Sequence, residues 1–202
     1  SMSLGGVLAF AMEAYEKGLI TRKDTGGVDL SWGSTEALLT MTRQIGEREG
    51  FGKLLGEGVK RAADHIGGLA PEYAMHVKGH EFPLYDMRAW NAGALEFATA
   101  SSGAHHYEGL TLTLSLTGDF FAALLGGGEL GDVARNRFAV KGIGKLTARA
   151  QDFGSLVDSL VTCKMLVGWT HTGQTVQPAL LLEWLNLVTG WKMDMPEFIE
   201  TG

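Results

Sequence analysis

Cysteine is almost absent from this 202-residue chain, which carries a single thiol, Cys163. One thiol excludes an internal disulfide framework, cannot hold a metal cluster unaided, and fits a reducing cytosol. Long apolar runs are missing as well. None reaches the about 18 residues that a membrane span requires. Residues 1–18 have neither the basic start nor the small-residue cleavage site of a signal peptide. Positive charge is in short supply: 17 Lys and Arg stand against 23 Asp and Glu, for a formal charge of −6. The bases are scattered, and phosphate binding needs a basic face, so nucleic acid is excluded as a partner. No internal repeat and no low-complexity tract occurs. What the chain has in excess is glycine, with 29 residues. Glycine supplies helix ends and close backbone approach, which predicts many short helices and tight loops. The 45% hydrophobic and 20% charged content is that of a globular protein long enough for one or two cores.

Apolar spacing predicts a mainly α, multihelical fold with at most short β segments. Leu4, Leu8, Ala11, Met12 and Tyr15 share one face of a helix over 4–17, which Gly18 stops. Ser34 is placed to cap a second helix, with Glu36 in its first turn and Leu38, Met41 and Ile45 as its buried stripe, before Gly50 ends it. A third helix is expected from Lys53 to Ile66, with Leu55, Val59, Ala62 and Ile66 inward, ended by Gly67-Gly68. Tyr73, Met75 and Val77 alternate with Ala74, His76 and Lys78 like a strand. A short helix is expected over 90–100. Leu110, Leu112, Leu114 and Leu116 alternate with Thr and Ser, a period of two in a helical context, and Gly126-Gly127-Gly128 is a break. From Lys145 to Leu160, Leu146, Ala150, Phe153, Val157 and Leu160 make a strongly periodic helix. Pro178 opens an apolar helix that Gly190 stops, and Asp194 with Glu197 makes a capping box for the last one.

Two constellations carry chemistry. Asp158 and Cys163 lie five residues apart at the end of the helix over 145–160, which brings an acceptor carboxylate and a soft sulfur donor to one helix terminus. A thiolate suits iron–sulfur chemistry because sulfur binds iron covalently through its redox change. A small buried hydrophobe is the plainer role for a lone cysteine. Asp158, between Val157 and Leu160, is expected near the buried edge of its helix, where a fixed carboxylate can accept two N–H donors. The second constellation is His105-His106. An imidazole titrates near neutral pH and can hand over a proton or polarise a carbonyl; a pair of exposed loop histidines, or a weak surface metal site, is the alternative. Asp86 and Arg88 are expected to pair or to cap a helix. His65, His76, His80 and His171 have no metal-ligand spacing.

The run Asp158-Ser159-Leu160-Val161-Thr162-Cys163 resembles the Asp-Ser-Leu-x-x-Cys segment of the tungsten-containing aldehyde ferredoxin oxidoreductase family. The resemblance extends over almost the whole chain. It includes Gly5-Gly6-Val7-Leu8-Ala9-Phe10-Ala11-Met12-Glu13-Ala14-Tyr15-Glu16-Lys17-Gly18, Trp32-Gly33-Ser34-Thr35-Glu36 and Arg48-Glu49-Gly50-Phe51-Gly52-Lys53-Leu54-Leu55-Gly56-Glu57-Gly58. It continues through Val77-Lys78-Gly79-His80-Glu81-Phe82-Pro83-Leu84-Tyr85-Asp86-Met87-Arg88 and Phe97-Ala98-Thr99. By that resemblance Asp158 and Thr162 contact a pterin, Cys163 is the last ligand of a [4Fe-4S] cluster, and His106 is the catalytic histidine beside a tungsten or molybdenum bis-pterin centre. His105 replaces a cysteine and inherits no role. The three other cluster ligands, a Cys-x2-Cys-x3-Cys run, and the first pterin motif would lie upstream of Ser1.

The resemblance therefore implies a fragment. Residues 1–78 would be the end of the family's second, helical domain, and 79–202 most of its third. The implied activity is oxidation of an aldehyde to a carboxylic acid, with electrons passing to ferredoxin in the cytoplasm; a homo-oligomer stays open. The 202 residues alone are expected to bind no tungsten and to turn over no aldehyde. Departures from the family crowd one region. Met87 and Ala89 stand for Pro and Gly, Ser102 for Arg, Val161-Thr162 for Gly-Leu and Glu108 for Lys. Trp90 and Glu96 are bulkier or more charged than their counterparts. These changes keep a second reading in view, the tungsten subunit of a class II benzoyl-CoA reductase. A third is a helical packing module with no redox centre.

Overall fold

A computed structural model describes residues 2–83, 85–111, 129–168 and 176–201 of the chain. The alternating leucines from Leu112 onward, the Gly126-Gly127-Gly128 break and His171 lie outside the described residues. The described chain is mainly helical, with one antiparallel two-residue pairing as its only sheet. It divides into two compact units: Ser1–Tyr85 with Ser101–His105, and Asp86–Ala100 with His106–Gly202. Among the described residues, no helix is long and apolar enough to cross a membrane.

The first unit contains α1 (Met2–Glu16), α2 (Thr35–Glu47), α3 (Gly50–Leu55), α4 (Val59–Ile66) and α5 (Ala70–Tyr73), with the hairpin β1 (His76–Val77) and β2 (His80–Glu81). His76 pairs with Glu81 and Val77 with His80. Helix α1 buries Val7, Leu8, Phe10 and Ala11 in a core shared with Met41, Leu55, Val59 and Ala62. Ser34 caps α2 as expected, its hydroxyl accepting from Ala37 N at 3.1 Å. Three expectations are corrected here. Leu38 is exposed, because α2 turns Ala37 and Met41 inward instead. The helix expected over 53–66 is two, because Gly58 adopts φ +92 and breaks it. The strand-like alternation from Tyr73 yields only His76–Val77. Pro71 and Glu72 favour the helical turn of α5, and Met75 is exposed.

The second unit contains a 3₁₀ turn (Met87–Ala89), α6 (Asn91–Thr99), α7 (Glu129–Arg135), α8 (Ile143–Ser159), α9 (Lys164–Gly168), α10 (Pro178–Thr189) and α11 (Met195–Glu200). Helix α8 is its backbone, packing on α6, α7, α9 and α11. Leu146, Ala150, Phe153 and Val157 face the core with Trp90 and Phe198, the face that the period predicts. The capping box at Asp194 is present in both directions. Helix α10 buries Leu181 and Leu182 but leaves Leu180, Trp184 and Val188 exposed.

Candidate functional site

The end of α8 is built by hydrogen bonding. Val161 N donates to Asp158 O at 2.9 Å and Thr162 N to Val157 O at 3.2 Å. These two bonds form the Schellman closure of a helix, which needs a left-handed residue between them. Glycine is the usual choice; here it is Val161, at φ +54 and 94% exposed. The closure satisfies the last carbonyls of α8 and turns the chain, after which Cys163 O accepts from Leu166 N as α9 begins. Cys163 is exposed, so it is not the small buried hydrophobe that a lone cysteine often is. Thr162 is half-buried and its hydroxyl donates to Leu160 O at 3.3 Å, so both its donors serve the helix end.

Asp158 is not at the buried edge of α8. Its side chain is 64% exposed, because the carboxylate leaves the core face to meet the ammonium of Lys164, Nζ to Oδ2 at 2.6 Å. Lys164 is the reverse case, with its side chain only 8% exposed. Burying an ammonium is costly unless it is paired and hydrogen-bonded. Lys164 has a second acceptor, Tyr107 O at 2.5 Å. One lysine thus bridges Asp158 and the residue that follows His106.

The segment from His106 to Thr111 is held at several points. Its centre lies so close to α8 that a Cβ on Gly154 would sit 1.6 Å from Glu108 O. At its far end the carboxylate of Glu96, on α6, is fully buried. Its Oε1 accepts from Gly109 N at 2.7 Å and Leu110 N at 3.1 Å. Its Oε2 accepts from Thr111 N at 3.0 Å and from the Thr111 hydroxyl. Leu110 adopts φ +50 within this nest. Several charge-assisted bonds to one carboxylate are the arrangement that makes its burial tolerable. His106 itself is buried, with the Tyr107 ring 4.6 Å and the Phe97 ring 6.3 Å from its own, centre to centre.

His105 belongs to the other unit. Ser102 Oγ and His105 Nε2 lie 2.5 Å apart, and the His80 ring is 6.5 Å from that of His105. Gly103, at φ +120, presses that loop onto the hairpin; a Cβ there would lie 2.7 Å from both Val77 O and His80 Cβ. Asp86 and Arg88 do pair, through a bidentate contact with Arg88 Nη2 2.7 Å from Oδ2, and Asp86 also caps the 3₁₀ turn. The side-chain bond from Arg88 holds the Asp86 carboxyl down at about 2.

Sequence reasoning singled out Asp158, Thr162, Cys163 and His106. The structure gathers all four in the second unit and links Asp158 to the His106 segment through Lys164, which sequence reasoning passed over. Glu96 had drawn notice only as a departure from the family. Its signal was a lone carboxylate in the otherwise apolar run Ala92-Gly93-Ala94-Leu95-Glu96-Phe97-Ala98. Among the described residues, no group of three or more His, Cys, Asp or Glu is placed to hold a metal ion. The thiol of Cys163 can therefore contribute one ligand and no more.

Comparison with known proteins gives a consistent picture. The family model "Aldehyde ferredoxin oxidoreductase, domains 2 & 3" matches residues 1–202. A tungsten-containing aldehyde ferredoxin oxidoreductase of Pyrococcus horikoshii is 41% identical over 205 residues, covering 100% of this chain and 31% of the relative. The WOR-like subunit of an aliphatic sulfonate oxidoreductase of Pyrococcus furiosus is 42% identical over 92 residues, 44% of this chain and 15% of that one. Among solved structures, the active-site complex BamBC of benzoyl coenzyme A reductase with 1,5-dienoyl-CoA superposes with a TM-score of 0.70. It covers 99% of this chain and 33% of its own, at 18% identity, which is a likeness of fold. The chain spans about a third of the length of the curated relatives that it matches throughout.

Proposed function

Because the chain belongs to the aldehyde ferredoxin oxidoreductase family, we propose that it works as part of a longer cytoplasmic oxidoreductase. That protein oxidises aldehydes to carboxylic acids with water as oxygen source and passes the electrons to ferredoxin. In this reading residues 1–78 are the end of the family's second domain and 79–202 most of its third. The single observation that carries the proposal is the terminus of α8, where an exposed carboxylate and an exposed thiol flank one helix closure.

The donor set fits the groups that the family implies. Asp158 is an exposed carboxylate with room for about four hydrogen bonds, and Lys164 uses one of its oxygens. It can accept the amino and ring N–H donors of a pterin. Cys163 offers a soft, accessible sulfur for the last position of a [4Fe-4S] cluster, whose other three ligands come from outside these 202 residues. When bound, a tungsten or molybdenum bis-pterin centre supplies the two-electron chemistry and the cluster carries electrons onward. The chain's own work is to hold and orient. Asp158 fixes one pterin, Thr162 shapes the closure beside it, and Cys163 sets the position of the cluster. The imidazole of His106 holds or hands over a proton for the substrate. One helix end then fixes the separation of two redox groups.

A second reading keeps the same residues and changes the substrate to an aromatic acyl-CoA. The observation favouring it is the pair of aromatic rings, Phe97 and Tyr107, next to the imidazole of His106. Assaying the intact protein with aldehydes and with aromatic acyl-CoA separates the two. The common part is tested by Asp158→Ala and Cys163→Ala in intact protein purified without oxygen. Asp158→Ala is expected to lower pterin content and Cys163→Ala iron content. Full complements of both in both variants would overturn the assignment. The 202 residues by themselves are expected to show neither tungsten nor aldehyde turnover.

A further inference from the structure

We propose that Lys164 is a positioning residue that couples Asp158 to His106, so that whatever engages the exposed carboxylate alters the setting of the imidazole. The inference rests on the roles given above to Asp158 and His106, and it goes beyond them by assigning the link.

Three observations carry it. First, Lys164 Nζ is buried and divided between two acceptors, Asp158 Oδ2 at 2.6 Å and Tyr107 O at 2.5 Å. A buried ammonium must keep its partners, so a change at one partner is felt at the other. Second, the two partners differ in freedom. The Asp158 side chain is 64% exposed and open to new donors. Tyr107 O is backbone, one residue beyond His106, and the Tyr107 ring lies 4.6 Å from the histidine ring. Third, the rest of the segment has little slack. Glu96 fixes residues 109–111, and Gly154 leaves no space behind Glu108. A displacement introduced at Tyr107 is then taken up toward His106 rather than lost along the loop. When N–H donors of a ligand draw on the Asp158 carboxylate, the hold of that carboxylate on Nζ weakens, and the ammonium bonds Tyr107 O more strongly. No proton moves and no covalent bond changes.

The test uses intact protein produced without pterin or tungsten and carrying ¹³C-labelled histidine, with the His106 signal assigned by its loss in His106→Gln. Asp158→Asn is expected to shift the His106 ring signal. Lys164→Met is expected to shift it too, and in that background Asp158→Asn should add no further shift. Lys164→Arg, which keeps the cation, should restore the dependence on Asp158. The proposal is overturned if folded Asp158→Asn leaves the signal where it was, or if it shifts the signal equally with methionine at 164. Should Lys164→Met not fold, the substitution at exposed Asp158 decides alone. Cofactor content of the loaded protein keeps the two claims apart. Pterin lost from Asp158→Asn with an unmoved His106 signal sinks the coupling and spares the assignment of Asp158. Full pterin with a shifted signal does the reverse.

Discussion

Among the described residues, ten glycines of the first unit have left-handed backbone, from Gly18 to Gly103, against Gly142 and Gly190 in the second. Where the second unit turns beside its candidate site, the left-handed residues are Leu110 and Val161. The difference shows two ways of making a tight loop. In the first unit most such positions are glycine, which adopts the conformation at no steric cost, and Arg48 and Lys78 are its left-handed exceptions. In the second, residues that resist it are held there by buried charge and by helix-end bonds. Glu81 and Glu96 make the same contrast. Glu81 gives one bond to one helix end, Val59 N to Oε1 at 2.6 Å, where Gly58 offers no side-chain cap. Glu96 gathers three backbone donors and a hydroxyl from the far end of the segment that follows His106. The first unit makes its turns mostly with glycine, and the second gathers several polar contacts onto the one segment beside its site.

The sharpest way to break that comparison is Glu96→Ala. It removes the Glu96 acceptor from two buried N–H groups, the part-buried N–H of Leu110 and one buried hydroxyl, at about 1 to 3 kcal/mol for each group left unsatisfied. A loss of at least about 3 kcal/mol is expected after water and local relaxation recover part of it. Denaturant unfolding followed by fluorescence, with Trp90 in that core, is the measurement. A loss under about 1 kcal/mol would mean that the loop holds itself. Glu81→Ala should cost less, about 1 kcal/mol, the usual worth of a helix N-cap. If the two substitutions proved equal, the second unit would owe its loop no more to buried charge than the first owes its helix.

The same contrast explains what could be read from the sequence. Helices α1, α8 and α10 announced themselves by apolar period, and α1 and α10 also by their glycine stops, because each rule acts within a few residues. Ser34 and the Asp194 capping box were legible for the same reason. The break at Gly58 was not, since an apolar stripe continues from Leu55 through Val59 to Ala62 across it. At the candidate site, Asp158, Cys163 and His106 were named through a resemblance that spans the chain. Lys164 and Glu96 could not be: their partners lie 57 and from 13 to 15 residues away, and no local pattern encodes such a distance. Asp158 itself left the buried edge where helical spacing placed it to meet Lys164, six residues further on.

Val161→Gly sharpens the comparison at its smallest scale. A β-branched residue in left-handed backbone costs about 1 to 2 kcal/mol. Glycine removes that cost but widens the unfolded ensemble by about 0.5 to 1 kcal/mol. At 94% exposure Val161 contributes almost no packing to set against the change. The sum favours the variant by up to about 1.5 kcal/mol, with both closing bonds of α8 retained. The check is a rise in the unfolding midpoint at unchanged denaturant dependence. A fall would show that the valine restricts the unfolded chain more than it strains the folded one. The strain at Val161 lies between the carboxylate and the thiol, so its release also asks what that strain does there. Should Val161→Gly stabilise the fold yet loosen retention of iron or pterin in the intact protein, the stiffness of valine is what keeps Asp158 and Cys163 in register. Should retention be unchanged, the two closing hydrogen bonds alone hold that register, and valine at this turn is only tolerated.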